Sequence, residues 1–158
     1  MPEIYLRTEV KAPVNICFDL SRSIDLHQIS TAKTGEKAIA GKTTGLIHLG
    51  EKVTWRAKHF GIWQELTSKI TAFESPNYFE DQMVSGAFKS FRHQHYFSSS
   101  GEKTVMTDKF IFVSPLGWMG RLANVLFLTK YMRRLLEERN AVIKEFAESG
   151  KWQSVLKG

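Results

Sequence analysis

A chain of 158 residues is long enough for one domain with a sizeable core, and 42% hydrophobic with 24% charged residues excludes the disordered and low-complexity classes. The formal net charge of +6 is spread along the chain, and its densest basic group, Lys130, Arg133 and Arg134, shares a helical stretch with Glu137 and Glu138, which reads as a solvated face and not as a nucleic-acid interface. A single cysteine, Cys17, excludes an intramolecular disulfide and a thiolate-rich zinc site, and neither a secretory signal nor an apolar run near the roughly 18 residues of a membrane span is visible, so a cytoplasmic protein without a transmembrane segment is expected.

Ile4, Leu6, Thr8 and Val10 alternate with Tyr5, Arg7 and Glu9, the period of a half-buried strand. Ala12 and Pro13 stop it, and Pro13 suits the start of a short helix in which Ile16, Cys17 and Leu20 share a face, with Cys17 a buried structural thiol. A second short helix is predicted over residues 23–29. Between residues 34 and 50 the glycines allow only a brief strand, at residues 37–40, and Gly41-Lys42-Thr43-Thr44-Gly45 lacks the spacing of a phosphate loop and is expected to lie over a cavity. Five strands are then predicted, at residues 52–59, 64–73, 78–84, 90–98 and 103–113, separated by turn-forming combinations such as Phe60-Gly61 and Ser75-Pro76-Asn77. After Ser114-Pro115 the period becomes helical, and a helix over residues 116–149 would be about 50 Å long, enough to lie across a sheet. Residues 1–150 are expected to form one domain and residues 151–158 a loosely held tail.

This order of elements predicts an α+β domain: a curved antiparallel sheet of six to seven strands, one face covered by the C-terminal helix, with two short helices after the first strand. Alternation assigns the faces. Arg92, Gln94, Tyr96, Thr107 and Lys109 suit solvent, whereas Val53, Trp55, Ala57 and His59, Phe79, Asp81 and Met83, Phe91, His93, His95 and Phe97, and Met106, Asp108, Phe110 and Phe112 point inward. An inner face carrying His59, Asp81, His93, His95 and Asp108 suits a partly hydrated cavity, because unpaired buried charges cost several kcal/mol each, on the order of a domain's whole stability. The alternative is a packed core in which Asp81, Asp108 and backbone groups satisfy the histidines.

These residues resemble the START-like, SRPBCC or helix-grip superfamily of lipid-transfer domains, polyketide cyclases and dehydratases, and pollen-allergen relatives, in particular its small stand-alone bacterial members. The resemblance runs from about residue 3 to residue 148, through Lys11-Ala12-Pro13, Cys17-Phe18-Asp19-Leu20, Val53-Thr54-Trp55, His59-Phe60-Gly61, Phe79-Glu80-Asp81-Gln82-Met83, Gly86-Ala87-Phe88, His93-Gln94-His95, Asp108 and Ser114-Pro115-Leu116-Gly117. It implies a helix-grip fold that holds a lipid, quinone, steroid or polyketide-like molecule between sheet and long helix. Some members catalyse a reaction, and no catalytic motif is carried over here.

The expected partner is therefore a small hydrophobic molecule, with Trp55, His59, Asp81, Met83, His93, His95, Asp108 and Phe110 as ligand-binding candidates in a monomer or weak homodimer. No cofactor is expected. An enzyme on the same scaffold, with His93 or His95 as base and Asp108 orienting it, is the second reading. A structural or interaction domain with a filled interior is the third. A metal site formed by His93, His95 and Asp108 or Asp81 is geometrically open, since residues two apart in a strand leave the same face roughly 6.5–7 Å apart. Asp25, His27 and Glu36 are expected near the pocket mouth, Trp55 in its wall and Trp63 elsewhere. Trp118, Met119 and Phe127 are candidates for a portal or a transient membrane-surface contact, with helix packing the other role for Phe127.

Overall fold

The computed structural model describes residues 2–114 and 127–156. The elements are β1 (Glu3–Val10), α1 (Val14–Ser21), α2 (Ile24–Ser30), a single 3-10 turn at Ala32–Thr34, β2 (Lys37–Gly41), β3 (Lys52–His59), β4 (Ile62–Glu74), β5 (Tyr78–Ser85), β6 (Ser90–Ser100), β7 (Lys103–Val113), α3 (Thr129–Ser149) and α4 (Trp152–Val155). All seven strands form one antiparallel sheet in the order β1-β7-β6-β5-β4-β3-β2, so α1 and α2 carry the chain from one sheet edge to the other. The fold is the α+β arrangement expected from the sequence.

Strand limits moved where turns proved tighter than the sequence suggested. Phe60 and Gly61 both adopt positive φ, 54° and 75°, forming a two-residue hairpin that lets His59 pair with Ile62 and starts β4 two residues early. Ser99 and Ser100, expected in a turn, continue β6 and pair with Thr104 and Lys103. Gly41 closes the edge strand so tightly that a Cβ there would lie 2.3 Å from the Lys52 carbonyl oxygen. Irregularities between Ala38 and Ala40, Thr67 and Ser68, and Ile70 and Ala72 interrupt the ladders of β2 and β4 and bend the sheet.

Ser23 caps α2 by accepting the Leu26 amide at 3.1 Å, which ends the α1 to α2 corner on a buried hydroxyl. In α3 the buried positions Leu136, Asn140, Ile143 and Ala147 follow helical spacing, with Arg139 beside them. Its 21 described residues span about 31 Å. The predicted start of this helix, including Trp118 and Met119, lies outside the described residues. After Gly150, the partly buried side chains of Trp152, Val155 and Leu156 pack against the larger hydrophobic cluster.

Two hydrophobic clusters hold helices to sheet. In the larger, Phe18 of α1 is inserted among Phe73, Phe79 and Phe97, with edge-to-face centroid distances of 5.4, 5.5 and 5.3 Å. In the smaller, Ile4, Leu6, Phe91, Phe110 and Phe112 meet Leu136.

Candidate functional site

The concave face is not filled along its whole length. Between the inner faces of β3 to β7 and the helices α2 and α3 lies a cavity of about 400 Å³. Its wall is mostly apolar, with Trp55 and Ala57 from β3, Leu66 from β4, Phe91 and Phe110 from β6 and β7, and Leu136 from α3.

One end of this wall is polar. Because β5 pairs Asp81 with His93 and β7 pairs Asp108 with His95, the register gathers two carboxylates and two imidazoles on one patch. The rings of His93 and His95 stack at 3.7 Å, and Phe79 continues the stack on the far side of His95 at 4.0 Å. His93 donates from Nε2 to Asp108 Oδ1 at 2.8 Å, and His95 from Nε2 to Asp81 Oδ2 at 2.8 Å. A carboxylate only accepts, so both tautomers carry the proton on Nε2. Nδ1 of His95 lies 3.4 Å from Asp108 Oδ1 without hydrogen-bond geometry and is buried with no hydrogen-bond partner among the described residues.

Asp108 itself is anchored from the helix side. Asn140 donates to its Oδ2 at 2.8 Å, and the Arg139 guanidinium lies 3.5 Å from Oδ1. Burial alone would raise this carboxyl, but the hydrogen bond from His93, the His95 ring and Arg139 hold it well below the ordinary carboxylate range. Asp81 is lowered too: burial opposes ionisation and the His95 hydrogen bond outweighs it. His93 is pushed down to about 4, first by burial and then by His95, so it is neutral at physiological pH.

A second polar group closes the rim. His59 Nδ1 and the Tyr131 hydroxyl are 2.6 Å apart, tying the β3 end to α3, and Phe60 at the hairpin tip lies 4.6 Å from Tyr131 and 5.3 Å from Phe127. Burial lowers the His59 pKa and raises that of Tyr131. His27 and Glu36 form a second bonded pair, with His27 laid on Trp55 at 4.2 Å.

Of the residues singled out by sequence, Trp55, His59, Asp81, His93, His95 and Phe110 line the cavity, as do His27 and Glu36. Two do not. Asp108 sits behind the histidines, holding one of them, and Met83 packs against the Phe91 and Phe110 cluster. Asp25 turns away to accept the Gly45 amide at 3.0 Å, and the 41–45 loop, expected over the cavity, contributes nothing to its lining because it is folded onto the sheet edge and α2. Trp63 is half exposed under the Arg56 guanidinium. Gln94, expected in solvent, is buried on the outer face beside Tyr78 and the Glu80 carboxylate. Phe127 is exposed beside Phe60.

Sequence reasoning missed Tyr131, Arg139 and Asn140. The last two carried a readable signal: polar residues three and four positions after Leu136, and four and three before Ile143, fall on the apolar stripe of α3.

Asp81, His93 and His95 also bring one potential ligand atom each to within 4.8 Å of one another. Both histidine Nε2 atoms already face carboxylates, so a cation that left these hydrogen bonds in place would be bound through Nδ1.

At the level of sequence, no family model and no curated protein matches the chain. Solved structures do. TTHA0849 from Thermus thermophilus superposes with a TM-score of 0.74 at 16% identity, over 91% of this chain and 95% of that one. Major latex-like protein 151 from Panax ginseng gives 0.67 at 17%, over 92% and 97%. The di-domain ARO/CYC StfQ from the steffimycin biosynthetic pathway gives 0.63 at 11%, over 96% of this chain and 46% of that chain. Among the described residues, no helix is long and apolar enough to cross a membrane. At such identities the likenesses speak to architecture alone, and with the sheet and C-terminal helix described above they show a helix-grip fold.

Proposed function

We propose that this protein binds or carries a small, largely apolar molecule in the space between sheet and α3. The observation that carries the reading is the cavity of about 400 Å³, apolar over most of its wall and polar at one end. A volume in this range suits a lipid fragment, quinone or polyketide-like ring system, with apolar area for affinity and a few polar atoms for orientation. Polar side chains at that end are buried without collapsing the space around them, the pattern of a binding site more than of a packed core. The proposed setting is cytoplasmic and the proposed state a monomer or weak homodimer.

Native mass spectrometry with solvent extraction of the purified protein should reveal a co-purifying apolar molecule, and 1-N-phenylnaphthylamine should fluoresce on binding. Ala57→Trp, which adds an indole to the cavity wall, should weaken that dye at least tenfold. Empty spectra together with dye binding indifferent to Ala57→Trp would remove the proposal.

A second reading, catalysis by proton transfer, draws on the Asp108 to His93 pair: a neutral imidazole that lines the cavity and is held by a fixed carboxylate. His93→Asn should then abolish turnover of an enolisable ligand while leaving its affinity within a few-fold; unchanged turnover eliminates the role.

A further inference from the structure

The polar end of the cavity is selective in the kind of hydrogen bond it offers. Among the described residues, Arg22 and Arg139 are the arginines in the lining, and both are turned into the protein's own acceptors. Arg22 gives Nε and Nη2 to Asp19 at 3.0 and 2.9 Å and Nη1 to the Ile47 carbonyl at 3.1 Å. Arg139 gives Nη1 to Asn140 at 3.0 Å and Nη2 to the Ser21 carbonyl at 3.1 Å. Their charge is answered and their geometry fixed before any ligand arrives.

The acceptors at the same end are less completely used. Asp81 has Oδ2 on His95, and no described group donates to its Oδ1. His93 has Nε2 on Asp108, and no described group bonds its Nδ1, which in this tautomer carries a lone pair. The two residues are direct cross-strand partners on β5 and β6 and both line the cavity, so their side chains leave the sheet about 5 Å apart. Two neighbouring acceptors without a donor between them are complementary to a hydroxyl group. With Asp108 just behind, an anionic headgroup would meet two carboxylates, and the guanidinium groups in the lining already pair with the protein's own acceptors.

Taking the cavity as a ligand site, we infer that its ligand is a neutral, largely apolar molecule bearing a phenolic, enolic or alcoholic hydroxyl, which donates to Asp81 or His93, and that carboxylate- or phosphate-ended lipids are rejected. The ionised state of Asp81 strengthens it as an acceptor.

Three probes of one size test this on the full chain by calorimetry at neutral pH: 2-naphthol, 2-methoxynaphthalene and 2-naphthoate. The naphthol should bind at least about tenfold more tightly than its methyl ether, with the naphthoate weakest. Asp81→Asn, near-isosteric and offering a donor, and His93→Phe, which keeps a ring in the stack, should each erase most of the naphthol advantage and leave the ether within about threefold. Equal affinity for naphthol and ether, or a preference for naphthoate, overturns the hydroxyl inference while ether binding still supports the cavity reading. Failure of all three probes to bind overturns both. Should either variant fail to fold, the ranking of the probes on the unaltered protein decides.

Discussion

Glu80 and Asp81 are consecutive in β5, and β-strand alternation sends them to opposite faces of the sheet. Both are shielded carboxylates surrounded by polar groups, yet they are built differently. On the outer face Glu80 is closed: Tyr78 donates to Oε2 at 2.6 Å, Gln82 to Oε1 at 3.0 Å, and the Arg92 guanidinium spans both oxygens. Burial opposes its ionisation, but these bonds outweigh it and lower its pKa, while the same burial and the adjacent carboxylate push Tyr78 up to about 12. On the inner face Asp81 lines the cavity with one oxygen held by His95 and no described group donating to the other. A carboxylate with all its acceptor sites answered by its own chain fixes strands; one left half answered is available to something else.

Asp108 belongs with Glu80 in this respect, and more deeply, so the largest effect is expected there. Asp108→Ala leaves His93, Asn140 and Arg139 facing one another across a buried gap, and should cost about 3–5 kcal/mol by urea denaturation. A loss under about 1 kcal/mol would mean that the network is solvated and not structural.

The next effect is a pH dependence. His93 titrates at about 4 in the folded chain against 6.5 for a free imidazole, so between those values the unfolded chain binds the proton more readily. Stability should therefore fall as pH drops from about 6.5 to about 4, by on the order of 3 kcal/mol, with the upper part of that limb, above about 4.5, belonging to the imidazole and not to the lowered carboxylates. His93→Phe should flatten this limb. A curve flat down to pH 4.5 in the unaltered protein would contradict a neutral buried His93.

Glu80→Gln comes third. It keeps shape and removes the charge from a site on the sheet's outer side, where Arg92 is half exposed, and should cost about 1–3 kcal/mol. Because the folded Glu80 pKa is depressed, its contribution is present above the unfolded value near 4.5 and is lost as pH falls through the folded value, so the variant should lose less stability on acidification. Naphthol binding should be unchanged, since Glu80 faces away from the cavity.

The architecture was largely legible because sheet periodicity and turn chemistry are local: the alternation of Phe91, His93, His95 and Phe97, and the Phe60-Gly61 hairpin, require no knowledge of distant elements. The inward set followed from the same rule. What alternation could not supply was depth. His93 and Asp108 share a face, but only the placement of α3 decides that Asp108 ends beneath the histidine, braced by Asn140, while Asp81 stays at the cavity wall. Gln94 misled for the complementary reason. Its face meets water, yet Gln94 is buried beside the hydroxyl of Tyr78, whose ring meets that of Tyr96 across the strands at 4.9 Å, a cross-strand event that no single strand encodes. Met83 likewise lies on the inner face but at its end, where it joins packing and not the cavity.

Asp81→Asn gives the smallest expected change in stability and the sharpest contrast with its neighbour. The asparagine carbonyl can still accept the His95 Nε2 proton, and no described group donates to the second oxygen, so the fold should lose no more than about 1 kcal/mol. Glu80→Gln, by contrast, disturbs bonds at both oxygens. If Asp81→Asn proves as costly as Glu80→Gln under identical denaturation conditions, Asp81 is a strut like Glu80 and the difference between the two faces collapses. If it is nearly silent in stability while the naphthol preference disappears, the two adjacent carboxylates are separated by function as well as by face: one braces strands, the other leaves an acceptor for a guest.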